Sequence, residues 1–202
     1  MNFLAHLHLA HPTDASRVGA LLGDFAPGTP VSLRSRFPDD VVAGIMLHRA
    51  IDRFTDEHPV FLKTKQFLQP SRRRFAGIII DIFFDHFLAH FWPEYSKLPL
   101  STFITEVHDT LERRKEWLTP DLAEILPRMK DENWLATTGT IPGLALTFRR
   151  VSRRRDFLST LIGAEEDLTQ HYQSFTSAFR EFYPELRSFA AAENPGGAFI
   201  WE

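Results

Sequence analysis

Cysteine is absent from the 202-residue chain, which excludes disulfides and thiolate metal ligands and suits a reducing compartment. A basic excess is missing too: the formal net charge of −3 argues against a general nucleic-acid binder. Strand signals are scarce, with few alternating segments and no Asn-Gly or Asp-Gly hairpin pair. Nor is there an unbroken apolar run. The most apolar segment, Gly77–Trp92 (GIIIDIFFDHFLAHFW), contains two Asp and two His, which a membrane span would have to bury, so a protein core is expected. The first ten residues (MNFLAHLHLA) lack a basic n-region and are broken by two histidines, so no signal peptide is expected. These features are read as a soluble, cytoplasmic protein without a membrane or nucleic-acid partner.

What is present is phenylalanine: 19 residues, against three Tyr and three Met, imply a core built from bulky aromatics. Apolar residues at three- and four-residue spacing predict an all-α fold, with helices over 2–10, 14–24, 39–56, 59–68, 72–92, 100–117, 120–133, 142–151, 155–163 and 165–182. Prolines mark the joints, and Pro127 falls inside the predicted 120–133 helix. The absence of repeats and long linkers predicts a single compact multi-helix domain over 1–190. Residues 191–202 are read as a C-terminal tail that Phe199, Ile200 and Trp201 could dock.

The polar groups inside these apolar helices carry the functional signal. Asp81 and Asp85 are four apart in the 72–92 helix, about 40° from each other on the wheel. Two carboxylates sharing a dry face repel, and protonation, a basic partner or a divalent cation can relieve that. His86 follows directly. The bland alternative is that Asp81 pairs with an arginine, Asp85 caps a neighbouring helix and His86 is a hydrogen-bonded core histidine. His6 shares a face with Phe3, Leu7 and Ala10 and points inward, whereas His8 is expected to be exposed. Asp24 sits at a helix C-terminus, where the dipole disfavours a carboxylate unless a cation compensates. His48 and Asp52 again lie four apart, as a ligand pair, an oriented histidine or an ordinary helix-face hydrogen bond. Arg49 and Arg53 run alongside them, for salt bridges or a substrate phosphate. A set of imidazoles and carboxylates without thiolate suits Mn²⁺, Fe or Mg²⁺. Such an ion can polarise a phosphoryl oxygen and activate water.

Four segments, MNFLAHLHLA, GALLGDFAPG (19–28), GIMLHRAIDRFTDEHP (44–59) and RRRFAGIIIDIFFDHFLAHFW (72–92), resemble in order and spacing the acyl carrier protein phosphodiesterases of proteobacteria. The resemblance implies a divergent HD-domain-like helical phosphohydrolase. It further implies a Mn²⁺-dependent hydrolysis that releases 4′-phosphopantetheine and leaves apo acyl carrier protein. The usual His-Asp pair of HD enzymes is reversed here, as Asp85-His86. On this reading His6, Asp24, Asp81, Asp85 and His86 hold metal, while His48 and Asp52 assist proton transfer or complete the metal shell. An acidic carrier protein calls for a local basic surface, and Arg49, with Arg72, Arg73 and Arg74 or the Arg149–Arg155 run, is expected to supply it. Two alternatives are a metal phosphohydrolase acting on nucleotides or another small phosphodiester, and a non-enzymatic helical binding protein.

Overall fold

The computed structural model describes residues 1–153 and 155–193. Local chemistry sets most helix starts. α1 (Phe3–Leu9) has no side-chain cap of its own, whereas the Thr13 hydroxyl accepts the Ser16 N–H to open α2 (Asp14–Phe25). Thr29 and Pro30 start the short α3 (Pro30–Arg34), and Asp39 and Asp40 occupy the first turn of α4 (Asp39–Glu57), where the dipole favours them. α5 (Pro59–Thr64) begins on Pro59, and α6 (Ala76–His90) runs into α7 (Trp92–Tyr95). Then come α8 (Leu100–Arg113), α9 (Pro120–Asp131), α10 (Trp134–Thr137) and α11 (Ile141–Ser152), the last capped by Thr140. α12 (Glu165–Gln170) and α13 (Tyr172–Glu193) close the described chain. Among the described residues there are no strands, and the fold is all-α.

Several expectations shift. The 155–163 helix is instead a 3₁₀ segment, Asp156–Leu161, and α3 and α10 fall where no helix was predicted. The predicted 120–133 helix does form, as α9, and runs through Pro127 without a break. α13 continues eleven residues past the predicted end at 182, because Phe182, Tyr183, Leu186 and Ala190 extend its buried face across Pro184. It also passes the expected tail boundary at 191, and residues 194–202, with the aromatic docking expected of them, lie outside the described residues.

α6 is the axis of the molecule. Ile79, Ile80, Phe83, Phe84, Phe87 and Leu88 have no solvent exposure, and α13 lays Phe175, Phe179 and Phe182 against it in edge-on and tilted ring contacts. Among the described residues no helix is long and apolar enough to cross a membrane.

α2 and α4 approach backbone to backbone. A Cβ on Gly19 would lie 2.5 Å from the Val41 carbonyl oxygen and 2.7 Å from the Gly44 Cα, so the crossing tolerates no side chain there. One turn further along both helices, Gly23 faces the ring of His48, and a Cβ at that position would sit 2.1 Å from the ring Cγ. The Gly-x-x-x-Gly spacing on α2 thus sets how deeply the α4 histidine is seated.

Candidate active site

Four helices converge beside the N-terminus. The α1 and α4 histidines stack, with His6 and His48 ring centroids 3.6 Å apart and planes 12° from parallel. Asp52, one turn after His48, joins them: its Oδ1 is 3.1 Å from His6 Nε2 and its Oδ2 is 3.1 Å from His48 Nε2. Asp24, at the end of α2, lies 3.6 Å from the same His48 nitrogen. The buried Met1 α-amino group sits between Asp52 Oδ1 at 3.2 Å and Asp81 Oδ1 at 3.0 Å.

Backbone contacts orient these rings. His48 Nδ1 is 2.6 Å from the Ala20 carbonyl, which can only accept, so Nδ1 carries the hydrogen and Nε2 is directed at the carboxylates. His6 Nε2 donates toward the Met1 carbonyl at 3.0 Å and toward Asp52, while its buried Nδ1 has no partner among the described residues. Asp85 accepts the Leu4 N–H at 2.8 Å and the Ala5 N–H at 3.0 Å, supplying from α6 the cap that α1 lacks.

The titrations diverge accordingly. Burial and the neighbouring His48 depress His6 to about 4. Burial also opposes charge on His48, but Asp24 and Asp52 outweigh it and raise the ring to about 9. Asp52, half-buried, is held well below the usual carboxylate range by His48, His6 and the α-ammonium. Burial raises Asp81 to about 6 against the pull of that ammonium, and raises Asp85 to about 7 against its two backbone donors. The α-ammonium itself, despite burial, is raised to about 10 by Asp81 and Asp52.

A cavity of about 550 Å³ opens over this group. Met1, Asp24, Asp81 and Asp85 line it together with Arg128, Arg150 and Arg153, with Phe3, Phe25, Ile78 and Ile82 among its apolar lining.

The donor set fits a divalent cation. Ligand atoms of His6, His48 and Asp52 all lie within 4.8 Å of one another, and the orphaned His6 ring nitrogen is the kind of buried polar atom that a ligand satisfies. His48 and Asp52, expected to assist proton transfer or to complete the metal shell, lie with His6 in the potential metal group, and Asp24 and Asp81 adjoin it.

Other expected site residues are placed differently. His86 faces away, donating from Nδ1 to the Thr138 carbonyl at 2.8 Å and accepting the Tyr172 hydroxyl at Nε2 at 3.1 Å, as a core histidine does. Asp85 serves as the helix cap. Arg72 is buried in an ion pair with Asp167 at 2.9 Å and bonds the Thr160 and Ile162 carbonyls, so it is internal scaffolding rather than a docking residue. Arg73 bonds the Leu68 and Gln66 carbonyls, and Arg74 lies over the Phe75 ring. Arg49 donates to the Ala26 and Gly28 carbonyls and so braces the loop after Asp24. His8, expected to be exposed, is buried between the Tyr95 carbonyl and the Tyr183 hydroxyl. Sequence reasoning missed the Met1 amine and Gly23. The second was legible in the glycine spacing of GALLG; the first had no signal.

The family described as acyl carrier protein phosphodiesterase matches residues 1–186. The chain belongs to that family. Similar relatives include acyl carrier protein phosphodiesterases of Pectobacterium atrosepticum, 35% identical over 96% of this chain and 99% of the relative, and of Photorhabdus laumondii, 37% identical over 92% and 93%. A third, from an Enterobacter species, is 36% identical over 92% and 95%. No solved structure matches. Membership of the acyl carrier protein phosphodiesterase family makes the chain an enzyme of the phosphodiesterase class, and the His6, His48 and Asp52 group, with the cavity lined by its neighbours Met1, Asp24 and Asp81, is its candidate active site.

Proposed function

We propose that the protein hydrolyses the phosphodiester joining 4′-phosphopantetheine to the serine of holo acyl carrier protein, with Mn²⁺ as its metal, in the cytoplasm. The observation that carries the reading is the convergence of His6, His48 and Asp52, next to the cavity-lining Met1, Asp24 and Asp81, in a member of this family. His6, His48 and Asp52 would hold the ion, with Asp24 and Asp81 as the nearest further carboxylates. When bound, the ion polarises the phosphoryl group and makes water a stronger nucleophile.

The side chains perform the remaining steps. Asp52 holds His6 and His48 in register, and the Ala20 carbonyl fixes the tautomer that leaves His48 Nε2 facing Asp24 and Asp52. Asp81, raised to about 6, accepts the proton of the attacking water at its carboxylate near neutral pH. Phe3, Phe25, Ile78 and Ile82 displace solvent along the substrate arm, which strengthens the electrostatics of the site. Arg73 and Arg74, both exposed, contribute to docking the acidic carrier protein, while the buried Arg72 acts within the fold.

Incubating the purified protein with holo acyl carrier protein and Mn²⁺, followed by intact mass, tests this directly. The expected result is loss of the whole phosphopantetheine mass, blocked by chelator and by Asp52→Asn. An unchanged mass across metals and pH would refute the reading.

A further inference from the structure

The guanidinium side of the cavity has no role in holding a cation. Glu132 accepts from Arg128 Nε at 2.9 Å and lies 2.8 Å from Arg150 Nε, so one carboxylate serves two guanidiniums. With Arg153 also lining the cavity, three positive groups face one negative one, and charge is left over on this wall. Trp134 anchors the group: its indole N–H donates to Glu132 Oε2 at 3.0 Å, and both Arg128 and Arg150 lie over its ring, at 5.9 and 5.2 Å.

Arg150 differs from its neighbours. Its side chain is 9% exposed against 53% for Arg128, and its Nη2 has no hydrogen-bond partner among the described residues. A buried guanidinium nitrogen without an acceptor is costly, and a ligand that completes it removes that cost. The planar fork of arginine matches the non-bridging oxygens of a phosphate better than a point charge does. A phosphodiester entering the cavity also meets Asp24, Asp81 and Asp85, and requires a positive group there to offset them.

We propose that Arg150, held by Glu132 and Trp134, is the anion receptor of the cavity and binds a non-bridging phosphate oxygen of the substrate. The assignment rests on the phosphodiester reading given above and adds a residue that recognises the phosphate independently of any metal.

Binding of 4′-phosphopantetheine and of pantetheine to the full-length chain in excess chelator tests it. Calorimetry gives the affinity, and tryptophan fluorescence, assigned with Trp134→Phe, reports on the site. The wild type is expected to prefer 4′-phosphopantetheine over pantetheine by about tenfold or more, as a charge-assisted contact to phosphate provides. Arg150→Gln should remove that preference while leaving pantetheine binding unchanged, and Arg150→Lys should restore part of it. Glu132→Gln, which leaves Arg150 in place and removes its competing carboxylate, should tighten 4′-phosphopantetheine several-fold. Equal affinity of wild type and Arg150→Gln for 4′-phosphopantetheine, with Glu132→Gln equally silent, would overturn the proposal even if holo carrier protein is hydrolysed. A phosphate preference that depends on Arg150 supports it even if that hydrolysis is not observed.

Discussion

The surroundings of His48 and His86 form an instructive pair. Both rings are buried on long central helices, and both donate from Nδ1 to a backbone carbonyl, that of Ala20 in one case and Thr138 in the other. They differ in what faces Nε2. His48 meets Asp24 and Asp52 beside a second imidazole, whereas His86 meets the Tyr172 hydroxyl. A shared orienting bond therefore does not make a histidine a ligand. The carboxylates opposite Nε2 set His48 apart, and the two rings titrate in opposite directions: up to about 9 for His48, and down by burial for His86.

The sharpest way to break the contrast is Asp52→Asn, which removes the carboxylate shared by His6, His48 and the Met1 amine. Phosphodiesterase kcat/KM should fall on the order of 10³-fold, while His86→Gln should leave kcat/KM within a few-fold; steady-state kinetics on holo carrier protein decides. Gly23→Ala would force the His48 ring from its seat and should cost about 1–3 kcal/mol of stability by urea denaturation, together with metal affinity. Wild-type stability there would show that the α2–α4 crossing can open.

Metal provides a second contrast. At Mn²⁺ concentrations about 100-fold above Kd, unfolding free energy should rise by about 2.7 kcal/mol over the chelated protein. That gain should vanish in Asp52→Asn, persist in His86→Gln and shrink as pH falls, readable as a Tm shift.

The opposite titrations set opposite pH limbs in the metal-free protein. His48, raised from 6.5 to about 9, contributes stability that is complete below pH 6.5 and is lost as pH rises through about 9. His86, lowered from 6.5, contributes stability that is present above pH 6.5 and is lost as pH falls through its lowered pKa. His48→Gln should flatten the alkaline limb and His86→Gln the acid limb, each by at most about 1.4 kcal/mol per pH unit. Urea melts from pH 5 to 9.5 would show whether either limb is misassigned. The smallest effect belongs to Arg74→Glu, expected to raise KM for carrier protein by a factor of about three at low ionic strength and to have little effect at high salt.

Much of this was readable from local pattern. The His48–Asp52 spacing, the inward face of His6 and the near-continuous apolar surface of α6 follow from helical periodicity alone. What was not readable depends on partners far along the chain. Asp85 finds its donors 80 and 81 residues away, and Arg72 finds Asp167 across 95 residues, so neither role has a local signature. His8 looked exposed because a one-sided face was assumed for α1, whereas Tyr95 and Tyr183 cover its other side. The predicted end at 182 is passed because the buried residues beyond Pro184 outweigh the backbone bond lost there.

The Asp85 cap has a consequence for how the site comes into being. A seven-residue helix is far below the length at which one stands alone in water, so α1 has no independent existence before α6 is in place to hold its first N–H groups. His6 is therefore delivered late in folding, through a contact that closes a loop of some eighty residues. Amide exchange of Leu4 and Ala5, whose N–H groups Asp85 holds, is the direct readout of whether α1 opens apart from the core of α6 and α13.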